Sequence, residues 1–264
     1  MKSPTERMIV ETEGPVGWMI FNNPERRNAV SLDMWQAIVP IVEAYEADPS
    51  VRVIVLKGAG DKAFISGADI SQFEQQRNSP EAVARYEEIA VGATTRLAQS
   101  RKPTIAMIQG YCVGGGVGVA LSCDLRIAAD NARFAIPAAR LGLGYRWIGV
   151  KKLVDVVGPS FAKEIFFTAR QFDAREALEM GLINRVVAAA ELAASVRATC
   201  DTIADNAPLT LEAIKGVVEE LTRPLGPVDV ERCEALVARC FASADYAEGR
   251  RAFMEKRKPV FQGK

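Results

Sequence analysis

One stretch, Thr104 to Asp124 (TIAMIQGYCVGGGVGVALSCD), most constrains what this chain can fold into. It opens on an apolar run, Ile105 to Ile108, with the length and composition of a buried strand. A turn-rich segment follows, and then Val117 to Cys123, apolar enough for an interior helix. Gly114, Gly115 and Gly116 stand at the junction. The first N–H groups of a helix have no partner within it and point out of its end. Glycine there leaves those donors uncovered by any side chain. Such an end suits a developing negative charge, through its N–H groups and its dipole together. The structural alternative is a tight strand-to-helix turn whose glycines serve close packing alone. No nucleotide fingerprint accounts for them. G-x-G-x-x-G begun at Gly114 meets Val119 where the third glycine belongs, and the Gly-Lys-Ser/Thr of a phosphate loop is absent.

What the chain lacks narrows the chemistry further. It contains no histidine, so Ser-His-Asp and Cys-His mechanisms are excluded, as is zinc bound through imidazole. Acid–base work falls to carboxylates, tyrosine, lysine, cysteine or bound water. Thirty-three basic residues balance 33 acidic ones, which leaves no electrostatic footprint for nucleic acid. No apolar run reaches membrane-spanning length and MKSPTERMIV has no hydrophobic signal core, so a soluble, cytoplasmic protein is expected. The five cysteines (112, 123, 200, 233, 240) show no metal spacing and their odd number argues against a disulfide framework. Cys233 and Cys240 lie two helical turns apart, too far to bridge within one helix. At 264 residues the chain suffices for one large domain, with or without a small appendage.

Read in order, Met8 to Glu11 and Val16 to Phe21 form a hairpin turning at Glu13-Gly14-Pro15. A polar loop, Asn22 to Asn28, precedes Ser31, the expected N-cap of a helix carrying Leu32, Trp35, Ile38, Val39 and Val42 at helical spacing. Pro40 is expected to bend that helix. Val51 to Leu56 is a continuous apolar strand, the pattern of a sheet covered on both faces. The turn at Lys57 to Asp61 leads into KAFISGADI; Ser71 to Pro80 is polar and expected to be a mobile loop, and Glu81 to Ala98 a helix. Beyond the glycine stretch come strands at Leu125–Ala129 and Arg133–Ile136 and a glycine-rich loop at Leu141–Trp147. A helix over Val150–Val157 is stopped by Gly158-Pro159; short helices at Phe161–Thr168 and Ala174–Met180 and a strand at Ile183–Val187 follow. From Glu191 the chain is nearly all helix, broken at Pro208 and at Pro224 to Pro227. Alternating strands and helices followed by helices alone describe an α/β core over residues 1–190 and an α-helical region over 191–264.

Six segments, in this order and spacing, resemble the enoyl-CoA hydratase/isomerase (crotonase) superfamily: NNPERRNAVS, KAFISGADI, KPTIAMIQGYCVGGGVGVALSCDLRIA, FAIPAARLGL, TARQFDAREALEMGLINRVV and EGRRAFMEKRKPVF. The resemblance spans almost the whole chain. It implies a spiral of ββα repeats with a C-terminal helical trimerisation region, a homotrimer or dimer of trimers, and acyl-coenzyme A thioesters as substrates. It implies no separate cofactor, coenzyme A being part of the substrate, and no metal. The family's oxyanion hole falls on the backbone N–H groups of Ala68 and Gly115. Its coenzyme contacts fall on Arg26, Arg27, Lys62, Ala63, Phe64, Ser66, Asp69-Ile70 and Phe261.

The departures from the family carry as much information. Family hydratases place one glutamate in the helix after the glycines, where this chain has Gly118, and a second after the proline of the next strand-turn, where it has Ala138. That pair positions water and moves its protons, each such group being worth ~10²–10⁴ in rate. One-glutamate isomerases keep the second acid, and the dehalogenase branch's nucleophile falls on Arg146. None of the three standard mechanisms is supported. Candidate replacements are Tyr145, as proton or hydrogen-bond donor, and Arg146, for a substrate carboxylate or an enolate. Tyr145 and Trp147 alternatively fill the space that the glutamates leave. Asp69 is a catalytic candidate with helix capping as its alternative. Glu87 and Glu88 are weaker candidates, one of them facing solvent. The readings that follow are an acyl-CoA enzyme of lyase or isomerase type with non-standard acid/base groups, including a decarboxylase or hydrolase, or a non-catalytic acyl-CoA-binding homologue. An assembly or RNA-associated protein is disfavoured by zero net charge.

Overall fold

A computed structural model describes residues 3–69, 79–141, 143–222 and 229–264. Ile70 and most of the expected 71–80 loop lie outside the described residues. β1 (Met8–Glu13) and β2 (Val16–Phe21) form the expected antiparallel hairpin, with Gly14 at φ 57° in its turn. α1 (Leu32–Ala47) follows Ser31, whose hydroxyl bonds the Asp33 carboxylate rather than a backbone N–H. α1 runs through Pro40 without interruption; Pro40 and Gln36 both lie on its exposed face, where water can take the bond proline removes.

The next three units repeat one plan. β3 (Val53–Gly58) with β4 (Ala63–Ile65), β5 (Thr104–Ile108) with β6 (Tyr111–Val113), and β7 (Leu125–Ala129) with β8 (Arg133–Ala135) each send the first strand to a six-stranded sheet and the second to a four-stranded one. The helices that follow are α2 (Pro80–Ala98), α3 (Gly115–Leu121) and, after a short 3₁₀ turn at Pro137–Leu141, α4 (Trp147–Thr168). β9 (Phe172–Asp173), α5 (Ala174–Glu179) and β10 (Arg185–Val187) complete the sheets, whose orders are β1-β2-β3-β5-β7-β10 and β4-β6-β8-β9. The successive β-β-α units are those that the resemblance implies.

β3 shows why its sequence is apolar throughout. Ile54 and Leu56 enter a core shared with α1, α2 and α4, while Val53 and Val55 enter a second core on the other face of the sheet. α6 (Leu192–Ala204) closes that second face with Leu192, Val196 and Cys200. α4 is two helices in one, since Gly158 breaks it at φ 75°, ψ 167°, as the Gly158-Pro159 pair predicts. α7 (Pro208–Leu221), α8 (Val230–Phe241) and α9 (Ala244–Glu255) end the chain. Leu236 and Cys240 are half-buried against α7, the Cys240 thiol 3.2 Å from the Leu209 carbonyl, whereas Phe241 stays 62% exposed. Among the described residues no helix is long and apolar enough to cross a membrane.

Candidate active site

The loops at one end of β4, β6 and β8 meet α2 and the start of α4 around a cavity of about 300 Å³. On one side lie Gly67 and Ala68, which follow the end of β4 after one residue, and Gly114 and Gly115, directly after β6. Ala68 forms an isolated parallel bridge with Val30: the Val30 N–H donates to the Gly67 carbonyl (2.8 Å) and the Asp69 N–H to the Val30 carbonyl (3.0 Å). That pairing uses the groups flanking Ala68 and turns its own N–H the other way. Gly115 is the first residue of α3, so its N–H has no partner in the helix. Among the described residues neither N–H makes a hydrogen bond.

The two donors are neighbours: a β-carbon built on Gly115 would lie 3.9 Å from the Ala68 nitrogen. Gly67 at φ 119° and Gly114 at φ 53° make the turns that set them there, in a region of φ that favours glycine. Gly116 lets the two segments touch, because a β-carbon there would stand 2.3 Å from the Ile65 carbonyl oxygen. The far end of α3 is fixed by buried Arg126, which donates to the carbonyls of Cys123 (2.8 Å), Leu182 (2.8 Å) and Ala120 (3.4 Å).

The facing wall holds Gly118 and Ala138, both lining the cavity. A β-carbon on Gly118 meets nothing within 4 Å, so no neighbouring atom requires glycine there, contrary to the packing that a glycine in an interior helix suggests. Neither residue carries an acid or a base. Tyr145 also lines the cavity; its ring rests over Gly149 and edge-on to Phe166, centroids 4.9 Å apart. Burial pushes its hydroxyl up to about 12, so the phenol is protonated at neutral pH, and among the described residues it has no hydrogen-bond partner.

The other candidate residues are divided between the cavity rim, the interior and the surface. Trp147, expected as a space-filling residue, is 58% exposed at the first turn of α4 and is not among the residues that line the cavity. Arg146 reaches the cavity rim, but its guanidinium is held by Glu87 at 2.5 Å. Glu88 faces solvent. Asp69 is buried and paired with Arg26 at 3.0 Å; it is not among the cavity's lining residues and ties the first loop to the donor segment instead. Arg27, at φ 52°, stacks its guanidinium 4.9 Å from the Tyr111 ring centre. Ser66 donates to the Arg26 carbonyl at 3.1 Å. The side chains of Ala63 and Phe64 are in the core and that of Lys62 is exposed. Phe261 packs beside Gly249, its carbonyl bonded by Arg52, away from the cavity of its own chain.

One lining residue escaped the sequence reading. Lys152, on α4, donates to the Ser122 hydroxyl at 2.9 Å and to the Thr94 carbonyl at 3.3 Å. Desolvation pulls its ammonium down to about 8. Lys151, next to it, turns outward and pairs with Asp155. Among the described residues no group of three or more acidic or cysteine side chains is placed to hold a metal.

The family described as enoyl-CoA hydratase/isomerase matches residues 11–264 of this chain. A crotonyl-CoA hydratase of Syntrophomonas wolfei is 34% identical over 98% of this chain and 99% of its own length. A carnitinyl-CoA dehydratase of Proteus mirabilis is 34% identical over 98% of this chain and all of its own. A crystal structure of an enoyl-CoA hydratase/carnithine racemase from Magnetospirillum magneticum superposes with a TM-score of 0.94 at 35% identity, covering 99% of this chain and 97% of that one.

Proposed function

The chain belongs to the enoyl-CoA hydratase/isomerase family, and from that premise we propose that it processes acyl-CoA thioesters by stabilising an enolate between two backbone donors. The observation that carries this is the convergence of the Ala68 and Gly115 N–H groups, both without partners, at one cavity wall. A thioester oxygen placed between them gains two hydrogen bonds that strengthen as negative charge moves onto it. One such donor is typically worth ~3–4 kcal/mol in the transition state. Arg26, Arg27 and Lys62, beside the donor segment, are suited to the phosphates of coenzyme A. The thioester brings its coenzyme with it, and the proposal requires no other cofactor.

The proton-transfer groups differ from a glutamate pair. Tyr145 lines the cavity in its acid form, able to give a proton or hydrogen-bond the acyl group. The absence of carboxylates at Gly118 and Ala138 supports a lyase, isomerase, decarboxylase or hydrolase of unorthodox mechanism over a standard hydratase. The same absence supports, as a second reading, a homologue that binds acyl-CoA without turnover. Exposed apolar side chains on the C-terminal helices, Ile214, Val218, Leu221, Phe241 and Met254, support a trimer-based assembly that covers them.

Ligand-dependent stability tests the binding reading. Acyl-CoA esters are expected to stabilise the fold by ~2.7 kcal/mol at a hundredfold excess over Kd, read as a rising melting temperature. A folded protein whose melting temperature responds to neither coenzyme A nor any ester would overturn it.

A further inference from the structure

Among the described residues two cations line the cavity; Arg146 is paired with Glu87, whereas the surroundings of Lys152 do not neutralise it. Lys152 Nζ has three N–H donors. Two are used, by the Thr94 carbonyl and the Ser122 hydroxyl, both uncharged oxygens. The third has no partner among the described residues, and the side chain lines the cavity. No carboxylate of the described residues pairs with it. Glu87, the acid on the same cavity, is engaged by Arg146 at 2.5 Å. Two further titratable groups, the Tyr145 phenol on the same cavity and the buried Cys123 thiol, are neutral at physiological pH because burial raises both to about 12. Around them the cavity is apolar, with Val91, Leu121 and Ile136 among its lining residues. An ammonium removed from water without a counter-charge is costly, and an anion that reaches it recovers part of that cost.

The position of Lys152 relative to the two backbone donors indicates what that anion is attached to. The Ser122 hydroxyl that accepts from Lys152 itself donates to the Gly118 carbonyl at 2.9 Å. Gly115 is the first residue of α3 and Ser122 its C-cap, about two turns and on the order of 10 Å apart along its axis. The same cavity is lined by Gly115, Gly118 and Leu121 along α3 and by Lys152, so it offers an acyl chain whose thioester oxygen lies at Ala68 and Gly115 a path along α3 toward Lys152. We infer that Lys152 forms an anion subsite for the far end of the acyl chain, and that the thioesters this protein prefers carry a carboxylate there. This inference rests on the acyl-CoA reading above and specifies its substrate class.

The test compares matched saturated esters by isothermal titration: succinyl-, glutaryl-, adipyl- and suberyl-CoA against butyryl-, valeryl-, hexanoyl- and octanoyl-CoA. At least one carboxylated ester is expected to bind the wild type about tenfold or more tightly than its neutral counterpart. The preference is expected to vanish in Lys152→Met and in Lys152→Gln and to persist in Lys152→Arg. Near pH 8 the carboxylate should also recharge a partly neutral Lys152, so binding takes up protons in the wild type and not in Lys152→Met. Equal affinity across every pair in the wild type, or a preference that survives loss of the ammonium, overturns the subsite while leaving the acyl-CoA reading intact. Failure of all eight esters to bind overturns that reading, and the subsite with it.

Discussion

Gly116 and Gly118 stand two residues apart on α3, roughly 200° around the helix from each other, and they do opposite things. A β-carbon on Gly116 would strike the Ile65 carbonyl at 2.3 Å; one on Gly118 would enter open space. The Gly116 side is the donor wall, where strand ends, positive-φ glycines and a parallel bridge hold two N–H groups together. The Gly118 side is the wall where the family resemblance implies acids, and here it offers a glycine, an alanine, a phenol and an ammonium. The difference teaches that the two halves of such a site are separable. In the proposed reading, enolate stabilisation rests on backbone geometry that side-chain change leaves in place, whereas proton transfer rests on side chains that can be replaced without disturbing the scaffold.

The largest effect that would sharpen this contrast is a gain of function. Gly118→Glu combined with Ala138→Glu is expected to raise crotonyl-CoA hydration by ~10²-fold or more, since each acid–base group is worth that much when placed correctly. The open space at Gly118 makes room for the first carboxylate. An unchanged rate in a folded, ester-binding double variant would show that the deficit of the Gly118 wall lies elsewhere.

A smaller effect separates the two glycines by stability. Gly116→Ala forces β4 and α3 apart and is expected to cost about 1–3 kcal/mol, at roughly 2–4 °C per kcal/mol in a scanning calorimeter. Equal melting temperatures for this variant and the wild type would break the contrast.

Lys152 supplies a pH signature. The folded chain holds it at about 8 and the unfolded chain at a lysine's ordinary 10.5. Between those values the unfolded chain binds more protons, so stability rises with pH across that window. Lys152→Met is expected to remove this contribution and to melt above the wild type at pH 7, where most of the desolvated charge is present. A wild type and variant that differ equally at pH 7 and pH 10.5 would exclude an uncompensated lysine. The smallest effect is that of Gly118→Ala, which meets no atom and is expected to stabilise by roughly 0.5–1 kcal/mol through helix propensity alone.

Much of the scaffold was legible in the residues because local pattern and tertiary demand agree. The unbroken apolar run of β3 is required by a strand covered on both faces, and Gly158-Pro159 breaks α4 where those residues must. The neighbourhood of Ala68 and Gly115 came through resemblance, since nothing local links residues so far apart in sequence. Three features were not legible. Lys151 and Lys152 are identical in type, and only the 100° turn between them sends one to Asp155 and the other into the cavity. Trp147 has the size and apolarity of a space-filling residue, but the first turn of α4 leaves it outside. Gly116 and Gly118 are indistinguishable until the strand that packs on one of them is in place.

The most direct test is the steady-state hydration of crotonyl-CoA by purified wild-type protein, freed of any host hydratase. With its donor wall complete and no carboxylate at Gly118 or Ala138, the protein is expected to bind the ester yet hydrate it with a kcat/KM several orders of magnitude below the 10⁴–10⁸ M⁻¹s⁻¹ typical of enzymes (an order-of-magnitude range). A kcat/KM within that range would contradict the account. It would mean that Tyr145, Lys152 or Glu87 does the work of the missing pair.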